Sequence, residues 1–347
     1  MTPVEATSGG EDRQNALCRA LSPLMARAYA AIRRLRAPVF PRTVFIETTS
    51  RCNLRCPICP RDRMKREAGD MTMDLFETIA DELAVHDERG ELRMVGLHFF
   101  GDPLMHPRII EMINLIGGRL PNLRRRGLHR DPLQGLCTST NALLLTEDLV
   151  EPLLSSSLTW LGVAVDAATE TTYAQVHGAD RFDLLVSKVQ RLLEANAASD
   201  RDLPTIGLQF VETPGTEDEV EAFVEMWRPY VEASENVRAV IKPFTTWAGQ
   251  IGGAPGPGWY FSTPCSYPWE MLVVVSDGRV APCCYDMDCT MELGRVPDQT
   301  LEEIWHGERL RGLREKLLRV DFSGLQLCRS CDKSRTYLSR LLPFLRR

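Results

Sequence analysis

Six short apolar or β-branched segments alternate with amphipathic segments between residues 43 and 242. The apolar segments predict strands at 43–48, 94–100, 136–140, 159–165, 205–212 and 237–242. The amphipathic segments predict helices at 74–88, 107–117, 147–155, 182–195 and 217–230, two of which begin near Asp74 and Thr146. Alternating strands and helices form parallel sheets with right-handed crossovers. Because six units are too few for a closed eight-stranded barrel, we expect an α/β fold, a partial (β/α)6 barrel.

The segments that flank the barrel predict four further regions. Residues 1–14 are polar and expected to be disordered, whereas the following segment has apolar residues at helical spacing. The predicted domains are a disordered tail at 1–14, an N-terminal helix at 15–40, the barrel at 41–250, a small C-terminal hairpin–helix domain at 256–335 and a tail at 336–347.

Composition excludes two classes of partner. The net charge is −6, and a nucleic-acid-binding protein would show a concentrated basic face. The one basic cluster, Arg124–Arg125–Arg126 with His129 and Arg130, lies between prolines and is predicted to be a solvated loop. No apolar run reaches the roughly 20 residues of a membrane helix, and no signal peptide is recognisable. We therefore expect a soluble cytoplasmic protein, with reduced thiols and without a nucleic-acid or membrane partner.

Polar residues follow every predicted strand at its carboxyl end, the edge at which such barrels carry their chemistry. The residues in question are Cys52, Cys56 and Cys59 after the first strand, Gly101–Asp102–Pro103 after the second, Ser139–Thr140–Asn141 in the third, Asp166 in the fourth, Glu212 in the fifth and Lys242 in the sixth. Four of these residues have an ordinary structural explanation as an alternative to a functional role. The alternative is helix capping for Asn141 and Asp166, and rim salt bridges for Glu212 and Lys242. His98 has the strand parity of the barrel interior, where it is either functional or a hydrogen-bonded core residue.

The first cysteine group has the spacing C-x3-C-x2-C, from Cys52 through Cys56 to Cys59. Three thiolates on one loop can hold three irons of a [4Fe–4S] cluster and leave the fourth iron open to a ligand. The alternative is a zinc or iron–sulfur site that a distant cysteine completes.

A second cysteine group lies between residues 265 and 331. Its sequence predicts a β-hairpin with Asp277–Gly278 as the turn, and then a helix that starts with a Thr300…Glu303 capping box. So small a unit needs a metal to hold it together. Its cysteines are Cys265, Cys283, Cys284, Cys289, Cys328 and Cys331. Adjacent strand residues point to opposite faces, so one of Cys283 and Cys284 is expected to bind, and a structural zinc ribbon is the alternative.

The stretch "ETTSRCNLRCPICP" resembles the cluster-binding loop of the radical S-adenosylmethionine (SAM) superfamily, and the resemblance extends over the six-strand region. It implies that the open iron chelates SAM, that Phe100, Gly101 and Asp102 lie at the SAM amino group, and that polar residues of strands three and four meet its ribose. Those polar residues are Ser139, Asn141 and Asp166. Two positions depart from the common pattern: Ile58 replaces an aromatic residue, and His177, to which we assign no role, replaces an arginine.

The second cysteine group resembles the SPASM/twitch extension of radical SAM enzymes. The resemblance implies one auxiliary [4Fe–4S] cluster held by four cysteines: Cys265, Cys283, Cys328 and Cys331. The G-x4-C spacing favours Cys283 over Cys284, and the lack of cysteines after Cys331 favours the shorter twitch form. The expected cofactors are therefore two [4Fe–4S] clusters and SAM.

This four-cysteine arrangement resembles that of the radical SAM dehydrogenases of aminocyclitol antibiotic biosynthesis. The resemblance implies that a 5'-deoxyadenosyl radical abstracts hydrogen from a secondary alcohol of an aminocyclitol or sugar. The auxiliary cluster then accepts an electron and a ketone forms. Flavodoxin or ferredoxin is the expected electron donor. Such a reaction needs a base near the hydroxyl and acidic groups near the substrate ammonium, and Glu212 and Lys242 are our catalytic candidates.

Three other functions stay open. A radical epimerase of an aminoglycoside needs a thiol that returns hydrogen, for which Cys284 or Cys289 is available. A ribosomal-peptide maturase usually carries a winged-helix segment before the barrel, and only about 40 residues precede the first strand. An iron–sulfur electron carrier would explain both cysteine groups but not the polar edge of the barrel.

Overall fold

The computed structural model describes residues 38–127, 134–199, 201–252, 260–262 and 264–337. The predicted tail at 1–14 lies outside the described residues, as do nearly all of the helix predicted at 15–40 and most of the tail at 336–347. The chain divides into two compact units, which we describe separately. The larger unit contains residues 38–244 and 270–307, and the smaller contains the described parts of 245–269 and 308–347.

The strands of the described residues are β1 Thr43–Ile46, β2 Met94–Gly96, β3 Gly135–Thr140, β4 Trp160–Ala164, β5 Thr205–Glu212, β6 Val237–Pro243, β7 Tyr260–Ser262, β8 Met271–Val274, β9 Arg279–Ala281, β10 Gly294–Arg295 and β11 Arg335–Tyr337. Strands β1 to β6 pair in parallel and in chain order. The predicted α/β fold, a partial barrel of six parallel strands, is confirmed.

The helices of the described residues are α1 Met73–Glu88, α2 Ile109–Arg119, α3 Pro121–Gly127, α4 Glu147–Leu154, α5 Glu170–His177, α6 Phe182–Ala197, α7 Val220–Ala233, α8 Leu301–His306, α9 Glu308–Leu318 and α10 Gln326–Arg329. All five barrel helices that the periodicity predicts are present. The N-cap of α1 is Thr72 rather than Asp74, which lies in the first turn, and Thr146 precedes α4 as predicted.

Two helices of the barrel unit were not predicted. The basic cluster Arg124–Arg126 lies in α3 and not in a loop, because Pro121 is a favourable first residue for a helix. Helix α5 was not predicted because its sequence, ETTYAQVH, has no apolar stripe. Its buried side chains include Thr172 and His177 beside Tyr173 and Val176.

The hairpin of the second cysteine group extends the barrel sheet. Gly278 adopts φ 88° in the predicted turn, where a Cβ atom would lie 2.4 Å from the carbonyl oxygen of Val296. Strand β8 pairs in parallel with β1, with Thr43 opposite Met271, and the sheet has the order β10-β9-β8-β1-β2-β3-β4-β5-β6. The hairpin that the sequence placed in a C-terminal domain therefore belongs to the larger compact unit.

The inner face of the sheet is filled by large side chains opposite glycines. A Cβ atom at Gly96 would lie 2.6 Å from the Phe45 ring, one at Gly162 would lie 2.2 Å from the Gln209 amide, and one at Gly207 would lie 2.3 Å from the Trp160 ring. Phe45 and Val240 also pack on a cluster of Met94, Cys137 and Trp160. This packing fills the interior beneath the carboxyl ends of the strands, where the polar residues lie.

The smaller unit contains three of the predicted auxiliary cysteines. Strands β7 and β11 pair antiparallel, and Arg314 of α9 donates a hydrogen bond from Nε to the carbonyl of Pro268 (2.8 Å). Cys328 lies in α10, and the backbone nitrogen of Cys331 donates to the Cys328 carbonyl (3.2 Å). No helix of the described residues is long and apolar enough to span a bilayer.

Candidate functional site

The three cysteines of the first group lie on the loop after β1. The backbone nitrogen of Cys59 donates to the Cys56 carbonyl (2.9 Å), and all three side chains are partly buried and free of disulfides. Burial raises the pKa of the Cys59 thiol to about 11, and burial together with the charges of Cys59 and Cys52 raises the pKa of Cys56 further. Thiolates this close together repel each other, so iron that neutralises them fits this loop.

A cluster spreads its ligands over several irons, so the sulfurs need not converge on one point. Within the described ranges, no three His, Cys, Asp or Glu side chains surround a single position suitable for one metal ion. The loop supplies three thiolates, the number that leaves one iron of a four-iron cluster open.

Gly101 packs directly against the backbone that leads into the cysteine loop. A Cβ atom at this position would lie 2.0 Å from the carbonyl oxygen of Thr49 and 2.7 Å from that of Arg51. The next backbone nitrogen, that of Asp102, donates to the Arg51 carbonyl (2.8 Å). Phe100 is buried, with its ring 4.5 Å from that of Phe99. The segment after β2 thus fixes the start of the cysteine loop.

The carboxylate of Asp102 is buried, and its oxygens accept hydrogen bonds from groups of the protein. It accepts hydrogen bonds from the backbone nitrogen of Leu104 (2.9 Å), from the Thr140 hydroxyl (2.9 Å) and from the backbone nitrogen of Asn141 (2.8 Å). Burial raises its pKa, and the backbone hydrogen bonds oppose this shift. Asp102 therefore acts on the candidate SAM site by holding the end of β3 in place.

Asn141 connects β3 to the cysteine loop. Its Nδ2 atom donates to Asn53 Oδ1 (2.8 Å) and lies 3.8 Å from Cys52 Sγ, and its Oδ1 atom accepts from the backbone nitrogen of Leu143 (3.0 Å). Capping does not explain Asn141, because the N-cap of α4 is Thr146. Ser139 is half-buried on the inner face, where its hydroxyl would lie 3.0 Å from a Cβ atom at Gly162.

Asp166 and His177 form a buried chain of contacts that ends at Cys56. Asp166 adopts φ 55°, its Oδ1 accepts from the backbone nitrogen of Val211 (2.9 Å), and its Oδ2 lies 3.4 Å from His177 Nε2. The other ring nitrogen of His177, Nδ1, lies 3.2 Å from Cys56 Sγ. Capping does not explain Asp166 either, because Thr169 caps α5. No role for His177 was predicted from the sequence, and the structure places it against a predicted cluster ligand.

The structure does not bring the two catalytic candidates together. Lys242 is paired with Val211, so Glu212 has the opposite parity and shares a face with Phe210, which packs on Phe223 of α7. Glu212 is exposed, and it lies away from the barrel interior. The geometry thus separates the candidate base from the interior in which a substrate would bind, because strand alternation places only one of two successive rim residues inside.

Lys242 and His98 have the strand parity of the barrel interior, and both carry groups that can exchange a proton. Lys242 is open to solvent, but the barrel atoms around its amine lower its pKa by desolvation, and the Asp166 carboxylate opposes this shift. Desolvation, with a smaller effect of the Lys242 charge, lowers the pKa of His98 to about 4. The His98 ring meets Phe45 edge-on at 5.3 Å, and its buried Nδ1 atom has no hydrogen-bond partner within the described part of the chain.

The second cysteine group is divided between the compact units. Cys283 and Cys284 belong to the larger unit, and Cys265, Cys328 and Cys331 to the smaller. Cys284 packs against the apolar cluster of Val273, Val275, Ala281 and Cys289. Neither Cys283 nor Cys284 lies within strand β9, which ends at Ala281, so strand alternation does not decide between them as ligands.

Comparison with known proteins identifies the family. The profile of the Radical SAM superfamily matches residues 46–226, just over half of the chain, and that of the SPASM iron–sulfur cluster-binding domain matches residues 265–332. The chain therefore belongs to the radical SAM superfamily and carries a SPASM domain. Its radical SAM domain binds a [4Fe–4S] cluster and SAM, and its SPASM domain binds further iron–sulfur clusters.

Two curated relatives cover most of the chain. The tungsten-containing aldehyde ferredoxin oxidoreductase cofactor-modifying protein of Pyrococcus furiosus is 23% identical, with 84% of this chain and 89% of the relative covered. The S-adenosyl-L-methionine-dependent 2-deoxy-scyllo-inosamine dehydrogenase of Niallia circulans is 22% identical, with 83% and 91% covered. The predicted resemblance to an aminocyclitol dehydrogenase is confirmed.

Solved structures share the fold at low identity. BtrN in complex with AdoMet and 2-DOIA superimposes with a TM-score of 0.57 at 19% identity, over 86% of this chain and 94% of BtrN. SuiB of Streptococcus suis bound to S-adenosylmethionine gives a TM-score of 0.61 at 14% identity, over 92% of this chain and 79% of SuiB.

Proposed function

We propose that this radical SAM enzyme is a dehydrogenase that oxidises a secondary alcohol of an aminocyclitol or sugar to a ketone in antibiotic biosynthesis. The observation that carries the proposal is the second set of thiols: Cys265, Cys283, Cys328 and Cys331, within the matched SPASM region. Four protein ligands leave an auxiliary cluster no open iron, which favours a role as electron acceptor over substrate binding. The similarity to a SAM-dependent 2-deoxy-scyllo-inosamine dehydrogenase supports the same reaction class.

Oxidation of an alcohol to a ketone removes two hydrogens, and the proposal accounts for both. SAM bound at the first cluster supplies a carbon radical that takes the hydrogen atom on the alcohol carbon. The hydroxyl hydrogen leaves as a proton to a side chain of the barrel, and the remaining electron passes to the auxiliary cluster. Cleavage of SAM would take up one electron, for which we propose flavodoxin or ferredoxin as the donor in the cytoplasm. The electron left on the auxiliary cluster would return to the first cluster or to that carrier, so the reaction as a whole needs no net electron.

The residues that hold SAM in this proposal follow from their positions at the carboxyl ends of β2 to β4. The backbone at Gly101 would bind the SAM amino group, Phe100 would support that segment, and Asp102 keeps the end of β3 in place. The side chains of Ser139 and Asn141, with Asp166, would contact the ribose. Support comes from the contact of Asn141 with Asn53 and Cys52, which places an amide next to the cysteine loop.

Lys242 is the proton acceptor that the geometry supports best. Its lowered pKa increases the fraction of neutral amine at physiological pH, and its strand position places it on the inner face. His98 is the weaker interior acceptor, because a ring with a pKa of about 4 is uncharged at neutral pH but binds a proton only weakly. Glu212 lies on the other face of the sheet and is the weaker candidate.

A second candidate function is epimerisation, favoured by the placement of two further thiols. Cys284 and Cys289 pack with Phe45 and Phe99 beside the hairpin. Burial raises the pKa of Cys289 to about 12, so the sulfur keeps the hydrogen that an epimerase would return to carbon.

The mass of the product distinguishes the two reactions. The reconstituted protein is incubated anaerobically in D2O with SAM, reductant and a panel of aminocyclitols that includes 2-deoxy-scyllo-inosamine. A dehydrogenase gives a product that is two hydrogens lighter, with one equivalent of 5'-deoxyadenosine. An epimerase gives a product that gains one deuterium. The Cys328→Ala variant is expected to keep about four of about eight irons and to lose ketone formation; a variant that still forms ketone would refute the role of the auxiliary cluster.

A further inference from the structure

A segment next to the first cysteine group contacts the hairpin segment that carries Cys283. The backbone nitrogens of Lys65 and Arg66, a few residues after Cys59, donate to Asp288 Oδ1 at 2.7 and 3.2 Å. These residues are more than 220 positions apart in sequence and belong to the same compact unit. The contact therefore joins two loops whose cysteines have been assigned to different clusters.

The side chain of Arg66 continues this connection into the core. Its Nε atom donates to the carbonyl of Met287 (2.5 Å), and its Nη2 atom donates to Glu47 Oε1 (2.5 Å). The exposed fraction is 4% for the Arg66 side chain and 0% for that of Glu47. The second carboxylate oxygen of Glu47 accepts from the backbone nitrogen of Ser276 (3.1 Å). One buried ion pair thus contacts the hairpin turn, the loop after β9 and the end of β1.

Burial of an ion pair is weak evidence for stability, because the cost of desolvation offsets much of the attraction between the charges. Two apolar side chains of similar volume would fill the same space at least as well. Apolar side chains would not fix the relative position of the two loops, because their contacts have no preferred direction. A guanidinium that bonds both Met287 and Glu47 allows the loops little displacement. A pair of this kind is expected where the relative position of two segments matters.

The cysteine-bearing loop after β9 is itself held in one conformation. The buried carboxylate of Asp286 accepts from the backbone nitrogens of Thr290 and Met291, both at 2.8 Å. The Asp286 backbone nitrogen donates to the Cys283 carbonyl (3.4 Å), so hydrogen bonds within the loop connect Cys283 to the segment that Arg66 contacts. Glu47 and Arg66 lie on either side of the first cysteine group in sequence.

We propose that the Arg66–Glu47 pair, with Asp288, is a positioning element that fixes the Cys283 loop relative to the loop of Cys52, Cys56 and Cys59. Cys283 is the proposed auxiliary ligand of the larger unit, so this element sets where one anchor of the auxiliary cluster lies relative to the first cluster. These residues touch no reacting atom and act only through the loops that they hold. The inference needs both clusters but not the proposed substrate.

The test measures the magnetic interaction between the two reduced clusters by pulsed electron paramagnetic resonance on the reconstituted holoenzyme. The variants are Asp288→Ala, Arg66→Lys and the apolar double variant Glu47→Leu/Arg66→Leu. The control is Asp277→Ala. The Asp277 carboxylate belongs to the same hairpin but accepts its hydrogen bonds from Arg279. We expect full iron content in all proteins, with a broader or weaker interaction in the three variants and a wild-type interaction in the control.

Two results would overturn the proposal. One is a wild-type interaction in the double variant, which would show that apolar packing positions the loops equally well. The other is an equal change in the Asp277→Ala control, which would assign the effect to the hairpin in general. If Arg66→Lys loses iron, Asp288→Ala decides, since it removes the bonds from Lys65 and Arg66 to Asp288 and leaves the ion pair and the Arg66–Met287 hydrogen bond intact. Since no substrate is present, failure here is separate from failure of the dehydrogenase assignment.

Discussion

His177 Nδ1 lies 3.2 Å from the sulfur of Cys56, and the opposite ring nitrogen lies 3.2 Å from the carbonyl oxygen of Val165. A buried imidazole is thereby held between a proposed cluster ligand and the end of β4. A hydrogen bond that Nδ1 donates to the sulfur would raise the reduction potential of the cluster, because it withdraws electron density from the iron. In that state the ring donates from both nitrogens, since Nε2 faces the Val165 carbonyl. The contact links a residue for which the sequence indicated no role to the redox chemistry of the family.

We therefore expect His177→Phe to lower the reduction potential of the first cluster without loss of iron. A potentiometric titration followed by electron paramagnetic resonance measures the change. Tyr173→Phe is the matched control, because the Tyr173 ring packs on His177 at 4.5 Å and its buried hydroxyl has no partner among the described residues. Equal potentials for wild type and His177→Phe would show that the contact does not reach the cluster.

Substitution by alanine is expected to change stability in opposite directions at Gly101 and Gly118. At Gly101 a Cβ atom would lie 2.0 Å from the backbone oxygen of Thr49, whereas at Gly118 of α2 nothing lies within 4 Å. Gly101→Ala should destabilise the fold by about 1–3 kcal/mol through overpacking and reduce iron retention. Gly118→Ala should stabilise α2 by about 0.5–1 kcal/mol. Chemical denaturation and iron analysis of both variants measure these effects; iron retention by Gly101→Ala at the wild-type level would contradict the close approach.

Lys242 of β6 lies opposite Val211, so it points to the inner face of the sheet, whereas Glu212 of β5 points to the outer face. A comparison of their variants tests which side chain takes the proton. We expect Lys242→Met to lower ketone formation much more than Glu212→Gln, because only Lys242 has the parity of the barrel interior. The wild-type rate should rise with pH until the lowered pKa of Lys242 is passed, since the neutral amine is the acceptor. Measured pH–rate profiles check this; a larger loss in Glu212→Gln would reverse the assignment.

The sequence was most informative where local pattern decides the structure. The six strands, the Asp277–Gly278 turn and the Thr300…Glu303 capping box depend on neighbours close in sequence, and all are found. The parallel pairing of β8 with β1 could not be predicted in this way, because the apolar residues of Met271–Val274 suit any buried strand. Local pattern thus indicated a hairpin but not the sheet that it joins.

Long-range polar contacts were the other limit of prediction. The strand-end positions predicted that Asp102 and Asn141 lie at the same edge of the barrel, but not that the Asp102 carboxylate accepts hydrogen bonds from Leu104, Thr140 and Asn141. Nor does any sequence signal pair Arg66 with Glu47, since the burial of both depends on the hairpin more than two hundred residues later. Strand-end position predicts which residues meet, and only the packed structure shows which of their atoms remain available.

His98 provides a test of interior burial through the pH dependence of stability. Its pKa is lowered to about 4, so the unfolded chain takes up a proton below its ordinary value of 6.5 while the folded protein does not. Stability should therefore fall as pH drops from about 6.5 towards 4, by at most about 3 kcal/mol from this residue. His98→Leu should remove that part of the slope. Anaerobic urea denaturation between pH 5 and 7.5 measures it, with His306→Gln, an exposed substitution at the end of α8, as the control. A His98→Leu protein that keeps the wild-type slope would show that the ring is hydrated inside the barrel and available to solvent protons.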